Sequence, residues 1–292
     1  GSEMCIRDRN RRGIAGGCSG ENIPALLLFP YIKERTKSMK KSRKILIGIL
    51  ICVIIGSVFY IGYYYVTQNK NEKVYKKLQK EVVKQESKEE EPQTEESHVE
   101  IPIDFAQLQA QNPDIYAWIQ IDGTNINYPV AQSATDNEYY LNHTIEGQEG
   151  YPGSIYTENW NTKEFTDFNT VIYGHDMKDG SMFQNLHNYA DASYMQQHPN
   201  VVIYTPEKKL TYQIFAAVVY DDRHILHSFD YAFADQRQAF LDSIYNSRNL
   251  GNVIRDDVSV NTDSRILTLS TCMTGQDDKR FLVEAVLISE ED

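Results

Sequence analysis

Cysteine is almost missing from the last two thirds of this 292-residue sequence. Four are present in all, at positions 5, 18, 52 and 272. Cys5 and Cys18 stand in an N-terminal stretch unlike the rest, and Cys52 lies in an apolar run, so residues 99–292 hold Cys272 alone. That excludes a disulfide within this region and any cysteine-built metal site. Positive charge is scarce there too: 11 Lys/Arg stand against 29 Asp/Glu, a net of −18, where the whole chain carries −12. So acidic a domain repels phosphate backbones and excludes nucleic acid as a partner. Its acidic residues are scattered without a ligand spacing, so neither metal nor cofactor is implied. No internal repeat is visible. Long hydrophobic runs are absent as well, with one exception.

That exception is Ile45 to Val66, which carries no charge. As a helix its 22 residues span about 33 Å at roughly 1.5 Å each, enough to cross a bilayer core. Lys40, Lys41, Arg43 and Lys44 crowd its N-terminal side, which assigns that end to the cytoplasm, and Tyr63, Tyr64 and Tyr65 suit the outer interface. The run is too long for a cleaved signal peptide, and no small-residue cleavage pattern follows it. The expected organisation has four parts. Residues 1–38 are a non-native or extended leader ahead of Met39, and 39–66 are the basic end and a single-pass transmembrane anchor. Residues 67–100 are a stalk, first a solvated Lys/Glu helix and then an acidic linker, and 101–292 are an extracellular domain.

Within that domain Asp104 can cap a short helix, 105–111, that stops before Asn112-Pro113. Short apolar runs rich in Val, Ile and Tyr follow, broken by turn residues. They predict strands over 116–121, 126–130, 153–157, 170–174, 201–205, 210–220, 265–271 and 281–288. Helical intervals fall at 181–187, 190–197 and 235–247, the last with a stripe of Phe240, Leu241 and Ile244. The expected fold class is mainly β: an eight-stranded closed barrel with peripheral helices, preceded by the N-terminal transmembrane helix.

Three residues stand out for chemistry. Cys272 ends the apolar run ILTLST and precedes a polar stretch, 273–279, expected to be a loop; a thiol at a strand mouth is held rigid yet accessible. A cysteine nucleophile needs a base, and seven histidines are present, all at or after residue 98. His98, His143, His187, His198, His224 and His227 sit in polar or helical surroundings and are expected on the solvated surface. His175 ends the run TVIY, follows Gly174 and enters a Gly/Asp/Ser loop, so it can meet Cys272 at one barrel rim. No acid is identified to orient it, Asp176 being free to point away. Arg280 opens the last strand, where its guanidinium can either stabilise a developing oxyanion or form an ion pair with Asp277 or Asp278.

The stretches TVIYGHDMKDGSMFQNL (170–186), ILTLSTC (266–272) and RFLVEAVLI (280–288) together resemble the three active-site segments of class B sortases. NPDIYAWIQIDGTNINYPV (112–130) resembles the start of their catalytic domain, and the likeness covers about residues 101–290. The resemblance implies the family's eight-stranded barrel, with 235–247 as the extra helix class B members carry. It also implies a catalytic set of Cys272, His175 and Arg280. The implied reaction cleaves a C-terminal sorting signal, LPxTG-like or NPxTN-like, on a secreted protein through a thioacyl-enzyme. The acyl group then passes to an amine of a cell-wall precursor peptide or a pilin lysine, at the surface of a Gram-positive-type cell. The connection from Cys272 to Arg280 is short for the class, which leaves the signal itself open. Two other readings use the same residues: a surface cysteine peptidase that gives the acyl group to water, and a non-catalytic β-barrel scaffold. The presence of all three residue types argues against the scaffold.

Overall fold

The computed structural model describes residues 28–82, 100–150 and 152–292. The chain divides into two units, residues 1–64 and 65–292. Helix α1 (Leu28–Val82) begins upstream of Met39. Its segment Lys40–Val66, 27 residues of mean hydropathy 2.8, is long and apolar enough to cross a membrane. The side chains from Ile45 to Val66 are exposed.

The second unit opens on the last turns of α1, where the structure departs from the expected solvated helix. Tyr75, Leu78 and Val82 are buried, on one face at helical spacing. The Tyr75 ring meets Tyr128 edge-on at 5.3 Å, and Gln79 Nε2 donates to the Asn127 carbonyl at 2.6 Å. The Lys/Glu-rich composition describes only the outward face of this stretch. The acidic linker and His98 fall among residues 83–99, outside the described residues.

Helix α2 (Phe105–Gln111) starts where expected, Asp104 accepting from Gln107 N. Strands β1 (Ile115–Gln120) and β2 (Asn127–Ala131) form a hairpin. Helix α3 (Tyr139–Asn142), β3 (Tyr156–Thr157) and β4 (Asn169–Tyr173) follow. A 3-10 helix (Gln184–Ala190), α4 (Ala192–Gln197), β5 (Asn200–Tyr204) and β6 (Lys209–Asp221) come next. Helices α5 (Ile225–Ser228) and α6 (Ala234–Tyr245) separate β6 from β7 (Val253–Ile254), and β8 (Ile266–Met273) and β9 (Gln276–Glu291) end the chain. The strands run in the order β1-β2-β3-β4-β8-β9-β6-β5, and β5 pairs again with β1. The ring is closed by eight strands. β7 adds only a short edge to β6 at Ala216 and Ala217, beyond the reach of β5.

Strand alternation sorts the side chains into two apolar layers. Leu267, Leu269 and Val283 join the barrel interior with Trp118. Val171, Leu282 and Val286 face outward, where Phe240, Leu241 and Ile244 of α6 cover them. The outward faces of β4, β8 and β9 therefore lie partly under a second core.

The expected 273–279 loop is instead the tip of a hairpin. Met273 pairs with Gln276 around Thr274-Gly275, and Gly275 takes φ +76°, a left-handed backbone open to glycine. Its polar residues read as a loop because this arm of β9, 276–278, has no buried face.

One carboxylate is wholly inside the outer layer. Glu284 is 0% exposed, and burial, opposed by the Thr268 hydroxyl, raises its pKa from 4.5 to about 8. Thr268 Oγ1 lies 2.7 Å from Glu284 Oε2 and 2.9 Å from Asn169 Oδ1. A hydroxyl has one proton to donate, so both contacts are satisfied only if Glu284 brings a proton of its own. The folded protein thus retains a proton that the unfolded chain releases above pH 4.5, and this group's contribution to stability falls as pH rises toward 8. Glu284→Gln, which keeps a neutral hydrogen-bonding group, is expected to raise the thermal midpoint at pH 8 by the equivalent of roughly a few kcal/mol and to change it little at pH 4. Melting curves at the two pH values check this; equal shifts at both would rule out a protonated Glu284.

Candidate active site

Strands β4, β8 and β9 lie side by side, and their register brings the three singled-out residues together. Tyr173 is opposite Ser270 in the parallel β4/β8 pair, and Gly174 N donates to the Ser270 carbonyl at 3.1 Å. His175, two residues past the end of β4, lines the same groove as Cys272. On the other side Cys272 is the cross-strand partner of Arg280. Neighbours in one row of a sheet project from the same face, with Cβ atoms about 5 Å apart. All three line one groove of about 240 Å³.

Each is held by its own surroundings. Cys272 is an exposed free thiol, whereas Thr271 and Ser270 before it are buried. Gly174 is required by a close approach: a Cβ there would lie 2.5 Å from Ile155 Cδ1 and 2.7 Å from the Phe183 ring. The loop after His175 folds back on its start, Asp176 bridging to Met182 and Phe183 N donating to the His175 carbonyl at 3.0 Å. His175 Nε2 lies 2.9 Å from the Leu141 carbonyl of α3. A carbonyl only accepts, so Nε2 carries a proton and exchange with a substrate falls to Nδ1. The Leu141 backbone carbonyl orients this ring.

Asp176 is engaged elsewhere. Its Oδ2 accepts from Thr274 Oγ1 at 2.5 Å and lies 3.5 Å from His187 Nε2. His187 Nε2 is also 3.1 Å from the Cys272 carbonyl, so the segment that carries His175 is tied at two points to the hairpin that carries Cys272. Arg280 Nη1 donates to the carbonyls of Asp277 and Lys279, at 3.0 and 2.9 Å, rather than to a carboxylate. That anchors one corner of the guanidinium and leaves the Nε and Nη2 donors for a ligand.

Tyr156 and Tyr173 stack at 5.4 Å in the groove. Burial first, then the Glu158 carboxylate, pushes both phenols well above their usual range, so they stay neutral. Sequence reasoning missed Glu158, which is 8% exposed and lies 2.8 Å from His224 Nε2. Burial raises the Glu158 pKa, with His224 acting against it. His224 is on the surface, as expected, but it is partnered, and His227 packs edge-on against it at 4.1 Å. His187, His143 and His198 are half-buried and hydrogen-bonded to backbone carbonyls rather than solvated. A pair such as Glu158 and His224 joins two distant loops and leaves no local sequence signal. Among the described residues no cluster of three or more His, Cys, Asp or Glu is arranged to hold a metal ion.

A sortase domain model matches residues 119–288. The chain belongs to the sortase family. Sortase B of Listeria monocytogenes is 35% identical over 194 residues, 65% of this chain and 76% of the relative. A Staphylococcus aureus sortase B–substrate complex superposes with a TM-score of 0.56 at 33% identity, covering 63% of this chain and 84% of that one. Sortase B of Bacillus anthracis in complex with AAEK1 gives 0.64 at 29% identity, covering 77% and 99%. These relatives place it in class B, and the eight-stranded barrel expected from the sequence is the barrel they share. The protein is a cysteine transpeptidase of the kind that sorts proteins to the cell wall of Gram-positive bacteria.

Proposed function

We propose that Cys272 is the nucleophile, His175 the proton carrier and Arg280 the oxyanion-stabilising group of a membrane-anchored class B sortase. The observation that carries this reading is the convergence of the three residues on one groove, Arg280 as the cross-strand partner of Cys272 and His175 just past the end of β4, the parallel neighbour of β8. The Cys272 thiolate attacks the carbonyl of the Thr–Gly-type or Thr–Asn-type bond in a sorting signal of the LPxTG or NPxTN kind. The oxygen gains charge beside the Arg280 fork. His175, through Nδ1, protonates the leaving amine as the C–N bond breaks, leaving a thioester on Cys272. An amine of a cell-wall precursor peptide, or of a pilin lysine, then attacks that carbonyl, gives up a proton to His175 and releases the sulfur. The Lys40–Val66 helix, with Lys40, Lys41, Arg43 and Lys44 at its start, supports anchorage with that end in the cytoplasm and the barrel outside.

The test is mass spectrometry of the protein with a panel of LPxTG-like and NPxTN-like peptides, followed by added triglycine. The expected result is an acyl adduct on Cys272 with one signal type, and a ligated peptide once triglycine is present. Hydrolysed peptide alone, with triglycine never incorporated, would favour a peptidase. An adduct on no residue would overturn the assignment.

A further inference from the structure

The groove holds one group that the reaction above does not use. Glu158 is more than nine-tenths buried and lines the same groove as Cys272. Its Oε2 is ion-paired with His224 Nε2 at 2.8 Å, and this buried oxygen has no other partner. A carboxylate oxygen placed so is destabilising unless a donor reaches it. Glu158, Tyr156 and Cys272 line this groove together. Arg280 also lines the groove, next to Cys272, but the other charges there favour a cation. Glu138 and Asp222 also line it, and Arg223 is spent on Asp221, its Nε and Nη2 donating at 2.6 and 2.5 Å.

We infer that Glu158, backed by His224, is the subsite for the protonated amine of the acyl acceptor. The inference rests on the transpeptidase reading and deepens it. An α-amine has a pKa of about 8 and is mostly an ammonium at pH 7, so the acceptor arrives charged. Near-buried Glu158 holds this cation beside the thioester, where low dielectric strengthens the attraction. The subsite adds no covalent step: the held ammonium gives one proton to solvent water before it attacks and the second to His175 afterwards, and the bonds made and broken at carbon remain those at Cys272. His224 serves as a positioning residue, limiting where the carboxylate can turn.

The experiment partitions one acyl-enzyme between two nucleophiles: triglycine, largely protonated at pH 7, and hydroxylamine, uncharged at that pH. Both draw on the same thioester, so the product ratio is independent of how fast the thioester forms. Glu158→Gln is expected to lower the triglycine-to-hydroxylamine ratio by about tenfold or more, through the KM for triglycine, as loss of a charge-assisted hydrogen bond implies. Glu158→Asp should keep more of the ratio than Glu158→Gln. An unchanged ratio overturns the inference. So does a Glu158→Gln enzyme that changes its choice among sorting peptides at constant ratio, because Glu158 would then read the signal. If the variants do not fold, the unaltered protein answers: high salt must raise the KM for triglycine and spare hydroxylamine, and equal salt effects sink the idea. Absence of any Cys272 adduct removes the transpeptidase reading and this one together, whereas an adduct with an unchanged ratio removes only this one.

Discussion

Cys272→Ala is expected to abolish the acyl adduct and to lower sorting-peptide cleavage by at least on the order of 10³-fold, with the melting midpoint nearly unchanged. The loss is large because no other group among the described residues can make the thioester. The only other free cysteine described, Cys52, lies in the apolar segment of α1. Stability is spared for a local reason. Cys272 is exposed and points to the outer face of β8 beyond the cover of α6, so alanine opens no cavity there. The tie from His187 goes to the Cys272 backbone carbonyl, which alanine keeps. Mass spectrometry with the best sorting peptide and a thermal melt of the same sample check both halves. Cleavage retained by the variant would move the nucleophile elsewhere, and a collapse of the melt would mean that the thiol is a packing group.

Fold and site were legible to different depths, for physical reasons. Every strand of the closed ring announced itself as an apolar run between turn residues, mostly rich in Val, Ile and Tyr and in β8 in Leu and Thr, since half-buried strands need that pattern. β7 did not, because Val253–Ile254 is too short to carry a period. The buried face of α1 was overlooked although Tyr75, Leu78 and Val82 follow a helical stripe; three lysines and a glutamate between them outweigh it in composition. The Cys272–Arg280 neighbourhood could be read because one hairpin makes it, even with the turn misplaced. His175 needed the parallel β4/β8 pairing, which spans residues far apart, and only its Gly174 neighbour and the family resemblance pointed to it. Leu141 as its orienting partner was invisible, for a backbone carbonyl has no sequence signature. Glu158 and His224 were hidden for the same reason of distance.

Arg280→Lys is the sharper probe of mechanism, because it keeps the charge and changes only the shape. Arg280 spends Nη1 on the carbonyls of Asp277 and Lys279, which fixes the plane of the guanidinium while other N–H groups stay available on the same rigid fork. An ammonium at the end of a flexible stem can satisfy those carbonyls or the oxyanion, but cannot hold both arrangements at once. The oxyanion exists only in the tetrahedral intermediate, so the deficit should appear in kcat while KM for the sorting peptide moves little. Removal of one such donor lowers kcat by about 10²–10³-fold elsewhere, and a similar loss is expected here. Steady-state kinetics on the peptide that acylates Cys272 supply the measurement. A near-normal kcat would reduce Arg280 to a brace for its own hairpin. A raised KM at constant kcat would make it a grip on the ground-state substrate, and the groove would then need another group to receive the negative charge.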